Sequence, residues 1–256
     1  MTEPDPILRL RQVDKTFAGN VVALRGMSME VRQGDFISLL GPSGCGKSTA
    51  LRLIAGLMRP THGRIEWDGG AGTDDLGVVF QEPTLMPWAT VEKNVWLPFR
   101  LRGQPLSRTR DRIREALGLV GLDGFAERYP RELSGGMKMR VSIARALVTN
   151  ARLILMDEPF AALDEITRQK LNDDLLNLKA QTGATVIFVT HSVFESVFLS
   201  NRILVMAPRP GRVIDEIAVP EPYPRGMDWR TAPAYGEITR RTSETLHAGL
   251  AQPEEP

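Results

Sequence analysis

The chain has 256 residues, with 32 lysines and arginines against 31 aspartates and glutamates and a formal net charge of +1. That length builds one large domain or a domain with a lobe, and the near-balance of charge gives no ground for expecting wholesale nucleic-acid binding. One cysteine, Cys45, excludes an internal disulfide and fits a reducing compartment.

Met1 to Pro6 carries no basic start followed by an apolar segment, and no later apolar run approaches a membrane span. A chain soluble in itself is expected, with any membrane role supplied by another chain. From Ile7 to Glu30 the apolar positions alternate loosely, punctuated at Gly19-Asn20 and Gln33-Gly34-Asp35, which predicts short antiparallel strands. The apolar run Phe36 to Leu40 is then followed by Gly41-Pro42-Ser43-Gly44-Cys45-Gly46-Lys47-Ser48-Thr49 and a helical pattern ending near Gly56. This is G-x-x-x-x-G-K-[ST] between a strand and a helix. A glycine-rich turn there aims backbone N–H groups at a phosphate, and the helix start adds its positive dipole end. Lys47 is expected to neutralise β- and γ-phosphates and Ser48 to offer a hydroxyl to Mg²⁺, so the chain is expected to bind a nucleoside triphosphate. Cys45 reads as a small loop filler rather than a reactive thiol.

Arg64 to Asp68 alternates again, Gly69-Gly70 is expected to turn the chain, and Leu76 to Phe80 reads as a buried strand ending at Gln81. From about Glu82 to Asn150 the period becomes helical, with Ile113, Ala116, Leu117 and Val120 on one face and Arg108, Arg112 and Glu115 on the other. This predicts a helical lobe inserted in a sheet domain. Within it, Ser134 has the character of an N-cap before Gly135-Gly136, whose lack of side chains permits close backbone approach. Taken alone, that segment is ordinary capping. The near-continuous runs Leu153 to Met156 and Ala184 to Val189 suit parallel strands covered on both faces, with a helix from about Ile166 to Lys179 between them. Asp157-Glu158 closes the first run, and two adjacent carboxylates call for a cation. Asp157 is expected to hold Mg²⁺ through water and Glu158 to polarise the attacking water. Arg202 to Met206 and Arg212 to Val219, joined by Ala207-Pro208-Arg209-Pro210-Gly211, read as strand, turn and strand. A proline-rich link from Pro220 to Arg225 and a short terminal helix through Tyr235, Ile238, Thr242 and Leu246 complete the chain.

The order of Gly41 to Thr49, Gln81, Leu133 to Met137, Asp157-Glu158, Ala161 to Asp164 and His191 resembles the ATP-binding cassette (ABC) ATPase family over roughly Ile7 to Val219. The resemblance implies an α/β fold: a mostly parallel sheet carrying the phosphate loop, an N-terminal antiparallel β subdomain and an inserted α-helical lobe. The expected parts are 1–81, the lobe 82–150, the rest of the core 151–219, and a link with a C-terminal helix over 220–256. It also implies ATP and Mg²⁺ as ligands and a head-to-tail dimer. Each nucleotide would lie between the phosphate loop of one copy and Ser134-Gly135-Gly136 of the other. Gln81 would sense Mg²⁺ and the attacking water, His191 would contact the γ-phosphate, Asp164 would communicate across the dimer, and Phe17 would stack on adenine or else fill the core. Met137, Met139 and Ala161 stand where the family commonly has polar residues, so altered affinity rather than inactivity is expected.

No membrane domain, long coiled coil or second cassette interrupts the pattern, which leaves an importer subunit as the implied role. Leu85 to Val95, Met156 to Asp164 and Ala207 to Val213 resemble the nitrate/sulfonate/taurine branch of bacterial importers. The resemblance implies a peripheral place on the cytoplasmic face of the cell membrane, with permease subunits and, through them, a solute-binding protein as partners. A nucleic-acid-associated ATPase and a nucleotide-gated structural module are the alternative classes. Trp88 either anchors a permease helix or fills the lobe. Arg100, Arg102, Arg108, Arg110, Arg112 and Arg114 form either a lipid-facing stretch or, interrupted by Asp111 and Glu115, a solvated helix face.

Overall fold

The computed structural model describes residues 6–68 and 72–250; the expected turn at Gly69-Gly70 lies outside the described residues. The N-terminal sheet contains β1 (Pro6–Phe17), β2 (Val21–Arg32) and β4 (His62–Trp67) in the antiparallel order β2-β1-β4. The first two strands are 12 residues each, longer than the alternation predicts. Register shifts between Leu10 and Val13 and again between Val13 and Lys15 explain the mismatch, because each irregularity resets which side faces the core.

The central sheet has the order β5-β6-β7-β3-β8-β9. Its strands are β3 (Phe36–Leu40), β5 (Leu76–Val79), β6 (Leu153–Asp157), β7 (Val186–Thr190), β8 (Arg202–Met206) and β9 (Val213–Ala218), all parallel except β9 against β8. Alternation of side chains across this sheet divides the interior in two. Phe36, Leu40, Ile154, Met156, Val186, Phe188, Ile203 and Val205 join one apolar cluster with the helical lobe. Their neighbours Ile37, Leu39, Leu153, Leu155, Ile187, Val189, Leu204 and Met206 join the other, with the N-terminal sheet and helix α1 (Lys47–Ile54). Both faces are covered, which is why these strands read as continuous apolar runs.

The lobe is built from α2 (Val91–Leu101), α3 (Leu106–Leu119) and α4 (Gly135–Leu147). Three of its arginines are engaged within the lobe. Arg112 lies 4.8 Å from the Phe99 ring centre and Arg100 5.8 Å from that of Trp96, while Arg110 pairs with Glu92 at 3.1 Å. Trp88 is 76 % exposed, so the lobe-filler reading fails. Met139 is buried and Met137 packs against the same apolar cluster, so both departures from the family pattern serve the core.

Helix α5 (Glu165–Thr182) precedes β7, and two further helices, α6 (Val193–Leu199) and α7 (Met227–Thr231), form where periodicity predicts none. The terminal helix α8 (Pro233–Leu250) has 18 residues rather than being short. It docks on α6, where Tyr235 donates its hydroxyl to Phe194 O at 3.1 Å. No helix among the described residues is long and apolar enough to cross a membrane.

Candidate functional site

A cleft of about 280 Å³ opens at the carboxyl ends of the parallel strands, where sheets of this kind bind ligands. The turn from Gly41 to Gly46 leaves β3 and enters α1. Gly46 has φ 97°, and a Cβ there would stand 2.6 Å from Ala23 O, so only glycine fits this last position before the helix. Ser43, Gly44, Gly46, Lys47, Ser48 and Thr49 line the cleft, together with Phe17, Gln81, Asp157 and Glu158. Cys45 is buried and burial pushes its thiol upward, which fits the filler reading.

Lys47 is only 4 % exposed. Its ammonium donates to Gly41 O and Pro42 O at 2.8 Å each, and lies 3.7 Å from Glu158 Oε1. A buried ammonium needs such acceptors. On the adjoining strand end, Ser48 Oγ donates to Asp157 Oδ1 at 2.8 Å. Burial pushes the Asp157 carboxyl up; the Ser48 bond opposes the shift and the charge of Glu158 adds to it. A carboxylate in that position gains from a nearby cation. One carboxylate beside one hydroxyl, with Gln81 lining the same cleft, is a hard oxygen set that suits Mg²⁺, an ion that keeps waters and takes phosphate oxygens.

Glu158 sits with φ 45°, a left-handed conformation that costs a non-glycine residue on the order of 1–3 kcal/mol. Its N–H donates to Val189 O at 3.1 Å, which ties the turn after β6 to β7. The carboxylate thereby meets His191, just past the end of β7: His191 Nδ1 lies 3.2 Å from Glu158 Oε2. One carboxylate is thus held between an ammonium and an imidazole, the three groups following three different strands, β6, β3 and β7.

The other expected residues lie elsewhere. Ser134, Gly135, Gly136 and Asp164 are not among the cleft's lining residues. Ser134 caps α4 by accepting from Met137 N at 3.3 Å, and Asp164 caps α5 by accepting from Thr167 N at 3.0 Å. The two helix starts touch. A Cβ on Gly135 would meet Leu163 Cδ2 at 3.5 Å, and one on Gly136 would meet Thr167 Cγ2 at 2.8 Å. Beside them Ile166 is 83 % exposed. Within one copy, the expected residues therefore fall into two groups.

Two arginines to which the sequence reading gave no role at the site also stand out. Arg209, from the β8–β9 turn, lines the cleft. Arg145 of α4 reaches the loop after Gln81, donating to Pro83 O and Thr84 O at 2.9 Å each, and burial pushes its guanidinium down. Both contacts join residues more than sixty positions apart, beyond any local pattern.

The ABC transporter family model matches residues 24–161. The aliphatic sulfonates import ATP-binding protein SsuB of Bacillus cereus is 40 % identical over 250 residues, covering 95 % of this chain and 97 % of that protein. An uncharacterised ABC transporter ATP-binding protein of Methanocaldococcus jannaschii is 46 % identical over 225 residues, covering 85 % of this chain and 84 % of that protein. Among solved structures, a dimeric post-hydrolysis state of the ATP-binding cassette MJ0796 bound to ADP and Pi is similar at 34 % identity. It covers 86 % of this chain and all of that one, with a TM-score of 0.70. The cbiO1 protein of Clostridium perfringens, part of an ABC transporter complex, aligns with a TM-score of 0.77 at 26 % identity, covering 95 % and 98 %.

Proposed function

The chain belongs to the ABC transporter family and is an ATP hydrolase of that fold, and from this premise we propose that it powers import of a small oxyanion or sulfonate through a separate permease. The observation that carries the chemistry is the convergence of Lys47, Ser48, Asp157 and Glu158 on one cleft, with His191 set against the Glu158 carboxylate. The transport role is supported by the similarity to the sulfonate-import protein along nearly its whole length.

In this reading Lys47 exchanges its carbonyl partners for phosphate oxygens, and the loop amides donate to the same charge. Ser48, Asp157 and Gln81 would hold Mg²⁺, which supplies electrostatic stabilisation of the phosphates when bound. Glu158 accepts a proton at its carboxylate from the attacking water. His191 holds that carboxylate in place until the γ-phosphate engages the imidazole. Phe17, at the rim of the cleft, stacks on the base. Ser134-Gly135-Gly136 closes over the nucleotide of a second copy, and Asp164 beside it carries the contact across the dimer. Closure and reopening of that dimer would drive a permease docked near Trp88, on the cytoplasmic face of the membrane.

Purifying the tagged chain from detergent-solubilised membranes tests this role. Co-purification of a multi-span permease with magnesium-dependent ATP turnover is expected. Recovery only from the soluble fraction with nucleic acid or ribosomal partners would overturn the importer reading.

A further inference from the structure

The turn Ala207-Pro208-Arg209-Pro210-Gly211 is the sequence feature that the nucleotide chemistry above leaves unused. Two prolines restrict its backbone. Its glycine is where it meets the phosphate loop: a Cβ on Gly211 would stand 1.9 Å from Cys45 O and 3.0 Å from Ala23 O. Gly211 N donates to Ala23 O and Arg25 N to Gly211 O, each at 3.0 Å, and Ala207 N closes the turn on Arg212 O at 3.0 Å. The turn is therefore wedged between β2 and the phosphate loop.

From this fixed base Arg209 reaches back over the loop. Its Nε donates to Gly44 O at 3.0 Å, and its side chain lines the cleft with Ser43, Lys47 and Ser48. Gly44 lies directly beneath it: a Cβ there would stand in ordinary contact with Arg209 Nη2 at 3.6 Å. A guanidinium has donors on three nitrogens, so committing Nε to the loop leaves the Nη groups for an anion. The charges lining the cleft give the reason one is needed. Even with Mg²⁺ offsetting Asp157, the side chains lining the cleft set the Glu158 carboxylate against the single ammonium of Lys47, and Arg209 adds a second fixed cation for a polyphosphate.

We propose that Arg209 is a further nucleotide-binding residue that donates from its Nη groups to the polyphosphate, a role that rests on the nucleotide reading of the cleft. The test is titration of ATP and ADP, with magnesium, into the full-length chain and its Arg209→Ala, Arg209→Gln and Arg209→Lys variants at low and high salt. Loss of one charge-assisted contact predicts about tenfold weaker binding of both nucleotides by the Ala and Gln variants at low salt. The gap should narrow at high salt, where an open site is screened, and Lys should restore most of the affinity. Unchanged affinity in the Ala variant overturns the proposal. So does wild-type affinity in the Gln variant, or a loss that is the same at both salt concentrations, since either makes Arg209 a brace for Gly44 only. A wild-type chain that binds neither nucleotide overturns the nucleotide reading itself, a separate failure.

Discussion

The cleft and the paired starts of α4 and α5 are both made from the ends of secondary-structure elements, yet they differ in how complete they are within one chain. In the cleft, the polar groups already satisfy one another: Lys47 with two carbonyls, Ser48 with Asp157, and Glu158 with His191. At the paired helix starts, Ser134 and Asp164 serve only as caps, and the exposed backbone of Gly135 and the side chain of Ile166 face outward. In the proposed function the first region does the chemistry and the second makes the contact, so damage to each should fail differently.

The largest effect is expected from Glu158→Gln. Removing the proton acceptor while keeping shape should lower turnover on the order of 10²–10⁴-fold. ATP affinity should stay near wild type, and the closed dimer should accumulate on size exclusion. Equal turnover would remove Glu158 from its assigned role. Lys47→Ala should come next, weakening ADP and ATP on the order of 100-fold in a fluorescent-nucleotide titration, because the phosphates lose a buried ammonium.

A third test joins the two regions. Ser134→Arg should leave nucleotide binding by the single chain near wild type but suppress ATP turnover. Mixing it with Lys47→Ala chains should then recover turnover above either variant alone, since the mixed dimer holds one composite site with both halves intact. Failure to recover any activity would count against sharing of the site between copies.

Asp157→Asn gives a smaller effect with opposite signs in two states. Burial raises the folded carboxyl above its unfolded value, so the stability it contributes is full at low pH and is lost as pH rises through the folded value. At neutral pH the Asn variant should therefore melt slightly higher than wild type without nucleotide. With magnesium and ATP it should lose most of the ligand-induced rise in Tm. A lower Tm without nucleotide would contradict the burial argument.

Trp88→Ala should change the isolated chain least, within about 0.5 kcal/mol as for other surface substitutions, because Trp88 is exposed. Its effect should appear as reduced permease co-purification.

The phosphate loop was legible because its residues are contiguous and its conformation is local: a strand, a glycine-rich turn and a helix start. The paired carboxylates were legible for the same reason, lying at the end of an unmistakable apolar strand. Trp88 and the arginines of α2 and α3 were ambiguous, since an aromatic ring or a run of cations can face water or neighbours equally well in a periodic pattern. Packing leaves Trp88 outside and sets Arg112 and Arg100 over aromatic rings. Helix α6 was missed because Val193–Leu199 is short and rich in β-favouring residues. It forms where Ser192 accepts from Glu195 N at 3.3 Å and the buried Glu195 carboxylate receives the Thr190 hydroxyl at 2.5 Å.

By itself the sequence determined what repeats or clusters locally: the apolar strands, the helical lobe, the phosphate loop and the order of motifs that marks the family. Tertiary structure alone decided which motifs meet. It brought His191 to Glu158 and Arg209 to Gly44, and it set Ser134 and Asp164 apart from the cleft. Those contacts join residues distant along the chain, and their geometry depends on the order in which parallel strands lie side by side, which no local pattern encodes.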